Sequence, residues 1–176
     1  MTPDPSTPET APGPGLSHVR ADGSAHMVDV TAKQVTSRTA TARAVLRTRE
    51  DVVDRIASGE LPKGEALATA RLAGIMGAKR TSDLIPLCHP LPLTGIEVDL
   101  APRGDHVEIT ATVRTKGVTG VEMEALTAAG TAALTLYDMI KAVDHLAVIE
   151  QVQVMAKAGG KSGDWRREEE PGEEER

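Results

Sequence analysis

IEVDLAPRGDHVEITATV, residues 96–113, alternates apolar and polar side chains on either side of a break at Pro102, Gly104 and Asp105. Period-two alternation gives a chain one buried and one solvated face, so 96–100 and 107–113 read as the strands of an antiparallel hairpin. Working outward, 121–143 reads as a long helix and 148–155 alternates again as a final strand. Upstream, Val and Thr alternate with Arg and Ala over 35–49, as in a half-buried strand. A short helix over 50–57 ends at Ser58-Gly59, and a helix over 65–79 carries an apolar stripe of Leu67, Leu72, Ile75 and Met76. Pro86, Pro90 and Pro92 rule out helix around LCHPLP, so 81–93 reads as an extended, proline-stiffened connection. Strands broken by two substantial helices, with a hairpin in the middle, give an α+β sandwich with helices on one face of an antiparallel sheet.

The 176 residues fit one domain, but the core must be built without Phe and with a single Trp and a single Tyr. Small apolar side chains bury little area each, so such a subunit gains by burying more against copies of itself. The net charge of -6 divides unevenly. Residues 1–15 are Pro-rich and carry Asp4 and Glu9 without a base, which reads as a disordered leader. Residues 166–176 hold six Glu and three Arg, an acidic, self-repelling disordered tail. The folded body, 16–165, is then near neutral, without the basic excess a nucleic-acid binder needs. Cys88 is the only cysteine, which excludes an internal disulfide, and no apolar run is long enough for a membrane span. No signal-peptide pattern opens the chain, so a cytoplasmic protein is expected.

Four stretches are more polar than their setting demands. In PLCHP, 86–90, Cys88 and His89 stand in a stiff loop suited to ligand recognition, or are a small buried hydrophobe and a loop histidine satisfied by backbone. One Cys and scattered His do not have zinc spacing. In GVTGVEME, 117–124, Glu122 and Glu124 lie at the positive end of the long helix, either as bland dipole partners or facing a base, ribose or metal. Asp138 and Lys141, three apart, share a helix face, as an exposed ion pair or as a proton-relaying pair. Lys63, Lys79, Arg80, Lys116 and the Lys161 of GGKSGD are loop or helix-end cations that suit an anionic small molecule. GGKSGD lacks the spacing and following helix of a P-loop.

AHMVDV (25–30), ATARLAGI (68–75), AKRTSDLIPLCHPL (78–91), TGVEMEALTAA (119–129), ALTLYDMIKAV (133–143) and GGKSGD (159–164) occur in order. Together they resemble the cyclic pyranopterin monophosphate synthase family, the C protein of molybdenum-cofactor biosynthesis, over nearly the whole body. The resemblance implies a ferredoxin-like fold and a homohexamer, a trimer of dimers with sites between subunits. It also implies a cyclised dihydro-GTP as substrate and a lyase reaction that releases cyclic pyranopterin monophosphate and diphosphate. It sets the catalytic pair on Asp138 and Lys141, and substrate contacts on Leu87, Cys88, His89, Met123 and Glu124. Glu122, Lys63, Lys79 and Lys161 match further pocket positions. No cofactor is required, and Mg²⁺ is expected only as a companion of the triphosphate. Two rivals remain: a non-catalytic nucleotide-binding module, which would lack the acid/base pair, and a purely structural oligomer, which gives no reason for PLCHP.

Overall fold

The structure, a computed structural model, describes residues 22–161 and 163–168. The Pro-rich leader and residues 169–176 of the acidic tail lie outside the described residues. The elements run β1 (Thr36–Arg47), α1 (Glu50–Ser58), α2 (Ala66–Lys79), α3 (Thr81–Leu84), β2 (Leu93–Arg103), β3 (His106–Gly117), α4 (Glu122–Ile140), β4 (Val148–Ala158) and β5 (Trp165–Arg166). The sheet order is β2-β3-β1-β4-β5, with every pairing antiparallel. This is the ferredoxin-like arrangement, with one short strand added at the β4 edge. The hairpin and the two long helices fall where the periodicity puts them.

One face of β1 and β3 builds the core. Ala40, Ala42, Ala44 and Leu46 pair in register with Val113, Ala111, Ile109 and Val107, and all eight are buried. The opposite face is polar, with Thr41 and Thr112 hydrogen-bonded across the strands at 3.0 Å. α4 covers the buried face with Ala125, Ala128, Ala129, Ala132, Ala133, Leu136 and Ile140. A core this poor in bulk must be closely spaced to exclude voids. The α2–α4 contact shows how. A Cβ on Gly74 would stand 2.9 Å from the Ala128 carbonyl oxygen, and one on Gly77 would stand 2.5 Å from Thr131 Oγ1. These two positions admit only glycine at this helix spacing.

The apolar stripe expected on α2 is not its buried side. Ala66, Ala70, Gly74, Gly77 and Ala78 are the buried residues, while Leu72 is 59 % and Met76 48 % exposed. Close helix approach selects the smallest side chains for the inside and turns two of the large ones outward. Three further differences are local. Residues 81–84 form one helical turn rather than extended chain, with Thr81 Oγ1 donating to the Ala78 carbonyl at 3.0 Å. β4 is not the last strand. Arg166, expected to open the acidic tail, pairs with Ala156, and the Arg167 N–H donates to the Met155 carbonyl at 2.7 Å. Along β4, Gln151 has φ 54°, alone among the described non-glycine residues in the left-handed region, where the β1 register shifts between Arg43 and Val45.

Candidate active site

α4 carries polar groups at both ends. At its C-terminal end, Asp138 receives two ammonium groups. Lys141 Nζ lies 2.7 Å from Oδ1, and Lys63 Nζ lies 2.7 Å from Oδ2 and 2.8 Å from the Asp138 carbonyl oxygen. Lys63 arrives from the far side of α1. Gly59, at φ 76°, caps that helix, and Gly64, at φ 85°, turns the chain just past the lysine. The hydrogen bond from Lys141, then that from Lys63, pulls the Asp138 carboxyl down to about 2. The same contact with Asp138 raises Lys141. The resting cluster is one carboxylate between ammonium groups, all half-exposed.

At the N-terminal end a cavity of about 280 Å³ is lined by Val28, Val30, Leu87, Cys88, His89, Met123 and Glu124, with Lys33, Thr119 and Glu122 at its margin. Two bonds fix the loop behind it: the Cys88 N–H donates to the Ile85 carbonyl at 3.0 Å, and Thr115 Oγ1 donates to the Pro92 carbonyl at 2.8 Å. His89 Nε2 sits 2.9 Å from the Val28 carbonyl oxygen, which can only accept, so Nε2 carries a proton. Glu124 is 4 % exposed, and burial, then the charge of Glu122, pushes its carboxyl up despite the backbone N–H at its own position. Burial, then Glu124, likewise raises the Cys88 thiol, which suits a contact group better than a nucleophile.

Beside this cavity lies a basic wall. Lys33, Arg38 and Lys161 line an adjoining hollow, and Lys157 pairs with Glu122 at 3.5 Å. Arg38 is fixed by donating through Nε to the Gly117 carbonyl and through Nη2 to the Val118 carbonyl, both at 3.2 Å.

Residues 27–160 match the MoaC family. The chain belongs to it. The Cyclic pyranopterin monophosphate synthase of Corynebacterium efficiens is 69 % identical over 150 residues, covering 85 % of this chain and 97 % of the relative. Cyclic pyranopterin monophosphate synthase 2 of Mycobacterium bovis is 62 % identical over 152 residues, 86 % of this chain and 91 % of the relative. The synthase of Streptomyces coelicolor is 60 % identical over 152 residues, 86 % of this chain and 89 % of the relative.

In this MoaC chain the residues singled out from the sequence fall into two groups rather than one. Leu87, Cys88, His89, Glu122, Met123 and Glu124 meet at the cavity, with Lys161 in the adjoining hollow. Asp138, Lys141 and Lys63 meet at the other end of α4. Lys79 is exposed at the end of α2 and does not line the cavity. Lys33, Arg38 and Lys157 escaped sequence reasoning. Arg38 and Lys157 sit inside alternating strand patterns, where a cation reads as a solvated face; their nearness to GVTG could have been inferred only from the strand pairing.

Proposed function

We propose that this chain converts 3',8-cyclo-7,8-dihydroguanosine 5'-triphosphate to cyclic pyranopterin monophosphate, releasing diphosphate; the relatives' names support the product, and the family resemblance implies the substrate. The observation that carries the reading is Asp138 held between two lysines, opposite a cavity formed by the LCH and ME residues. Opening the imidazole-derived ring and closing the pterin and pyran rings requires repeated proton transfer. At rest Asp138 is a carboxylate and Lys141 holds its proton, each charge stabilising the other, so the cluster moves protons as a unit rather than through one residue. Expelling diphosphate from the α-phosphorus requires positive charge on the leaving group, which Lys33, Arg38, Lys157 and Lys161 can provide. Mg²⁺ enters, in this reading, as a companion of the triphosphate.

Asp138 lies fourteen positions after Glu124 on one helix, about 21 Å along the α4 axis. One chain therefore supplies two half-sites, and a complete site takes the cavity of one subunit and the Asp138 cluster of another. Met123, Thr127, Gly130, Leu134 and Asp138 form the outward stripe of α4, with Met123, Leu134 and Asp138 exposed and the small residues between them half-buried. Antiparallel pairing of this stripe with its copy would bring Met123 beside the partner's Asp138. We accordingly propose a homo-oligomer, a hexamer by the family resemblance, working in the cytoplasm. No described helix is long and apolar enough to cross a membrane. Incubation with the cyclised dihydro-GTP, followed by mass detection of pyranopterin and diphosphate, tests the reaction; no product from a folded oligomer would overturn it.

A further inference from the structure

The three side chains of the Asp138 cluster are half-exposed, so side-chain packing does little to hold them in place. Their positions must be set by the backbone that delivers them, and that backbone is anchored at one buried polar contact. Asp144, 6 % exposed, lies in the turn between α4 and β4. Its Oδ2 accepts from Thr48 Oγ1 at 2.7 Å, and its Oδ1 accepts from the Leu146 N–H at 3.0 Å. Thr48 is also buried, and its N–H donates to the Asp105 carbonyl at 2.9 Å, tying the junction to the turn of the β2–β3 hairpin. Arg49 adds a second link: Nη1 donates to the Val143 carbonyl at 3.2 Å and lies 3.9 Å from Asp144 Oδ1.

Two arms leave this junction. From Arg49 the chain enters α1, locked by buried Val52, Val53 and Ile56, and four residues past its Gly59 cap it reaches Lys63. From Asp144 it runs back three residues to Lys141, whose N–H donates to the Tyr137 carbonyl at 2.9 Å. We propose that the Thr48–Asp144 contact is the positioning element of the Asp138 cluster. It fixes the start of the Lys63 arm and the turn behind Lys141 in one register, so that both ammonium groups reach the same carboxylate. Taking a carboxylate out of water is costly, and an apolar pair would hold the turn about as firmly. What the buried carboxylate adds is direction: one hydroxyl and one N–H aimed at two fixed oxygens.

The inference rests on the cluster being catalytic, and the test keeps the two apart. Thr48→Val removes the hydroxyl at nearly constant shape, Thr48→Ser retains it, and Asp144→Asn replaces one accepting oxygen. Thr48→Val and Asp144→Asn should fold and assemble, with kcat lower by about tenfold to a hundredfold, the scale of a displacement near 1 Å. KM should stay within about twofold, because the basic wall lies at the other end of α4. Thr48→Ser should turn over like the parent. By carbon NMR, the Asp138 carboxyl should titrate higher in Thr48→Val than the value of about 2 in the parent. Parental kcat in folded Thr48→Val, where Asp138→Asn is inactive, overturns the proposal. If Asp138→Asn is itself active, the functional reading fails, and an unmoved Asp138 titration in Thr48→Val then overturns the positioning role separately.

Discussion

Glu124 and Asp138 are carboxylates on one helix, treated in opposite ways. Glu124 is buried beside a cavity and its carboxyl is pushed up; Asp138 is half in water and its carboxyl is pulled down by two lysines. Burial alone does not mark the group that handles protons. The exposed carboxylate has partners that stabilise its charge, whereas the buried one faces a thiol and a second carboxylate. The N-terminal end of α4 is therefore suited to shape and hydrogen-bond recognition, and its C-terminal end to charge and proton supply.

The contrast breaks most sharply at Asp138. Asp138→Asn should fold and assemble yet lose about a hundredfold to ten-thousandfold in turnover, and Lys141→Ala should fall as far. If they act as a unit, the double variant should be scarcely slower than either single one in steady-state kinetics. Near-normal turnover in folded Asp138→Asn would remove the cluster from the chemistry. Mixing subunits then tests the division between chains. Asp138→Asn and His89→Ala proteins, each inactive alone, should recover about one quarter of parental activity after joint refolding, since random pairing leaves that share of composite sites intact. Sites contained in single chains would recover nothing.

Glu124→Gln sharpens the comparison from the other side. Turnover should fall by about tenfold to a hundredfold, the scale of a misplaced substrate, while stability at neutral pH rises. A folded carboxyl raised above its unfolded value of 4.5 favours folding in the protonated form, and that contribution is lost as pH rises through the folded value. The charged Glu124 of neutral pH therefore costs stability that Gln does not, and the gain should vanish in melts below the unfolded value. The opposite sign would show that a partner compensates the charge. The smallest effect is expected at the ends. Removing residues 1–15 and everything after Glu168 should leave turnover unchanged and shift stability by less than about 0.5 kcal/mol. Extending the cut through Trp165 removes β5 and should be visible in the melt.

Much of this architecture could be read in advance, because alternation and helical periodicity are local. The hairpin, α1 and α4 needed no knowledge of what they pack against. α2 did: its buried side is set by the approach of α4, which favours Gly74 and Gly77 over Leu72 and Met76, and no window of its own residues contains that constraint. The site divides similarly. Asp138 and Lys141 are visible as a pair on one turn, and PLCHP as a stiff polar loop. Lys63 meets Asp138 across 75 positions, and the Thr48–Asp144 contact spans 96. Such partners are products of topology, and only the folded chain shows that Asp138 has two lysines instead of one.

The aromatic-poor composition has an optical consequence. The single indole, Trp165, is 43 % exposed on the two-residue β5, with the Arg167 guanidinium 5.6 Å from its ring centre. Its emission reports the docking of that strand on Lys157 and Ala156, while the core contains no tryptophan and has only Tyr137 packed against it. A fluorescence melt and a circular-dichroism melt would therefore follow different events, and coincidence of the two would mean that this edge strand lets go only when the whole sheet does.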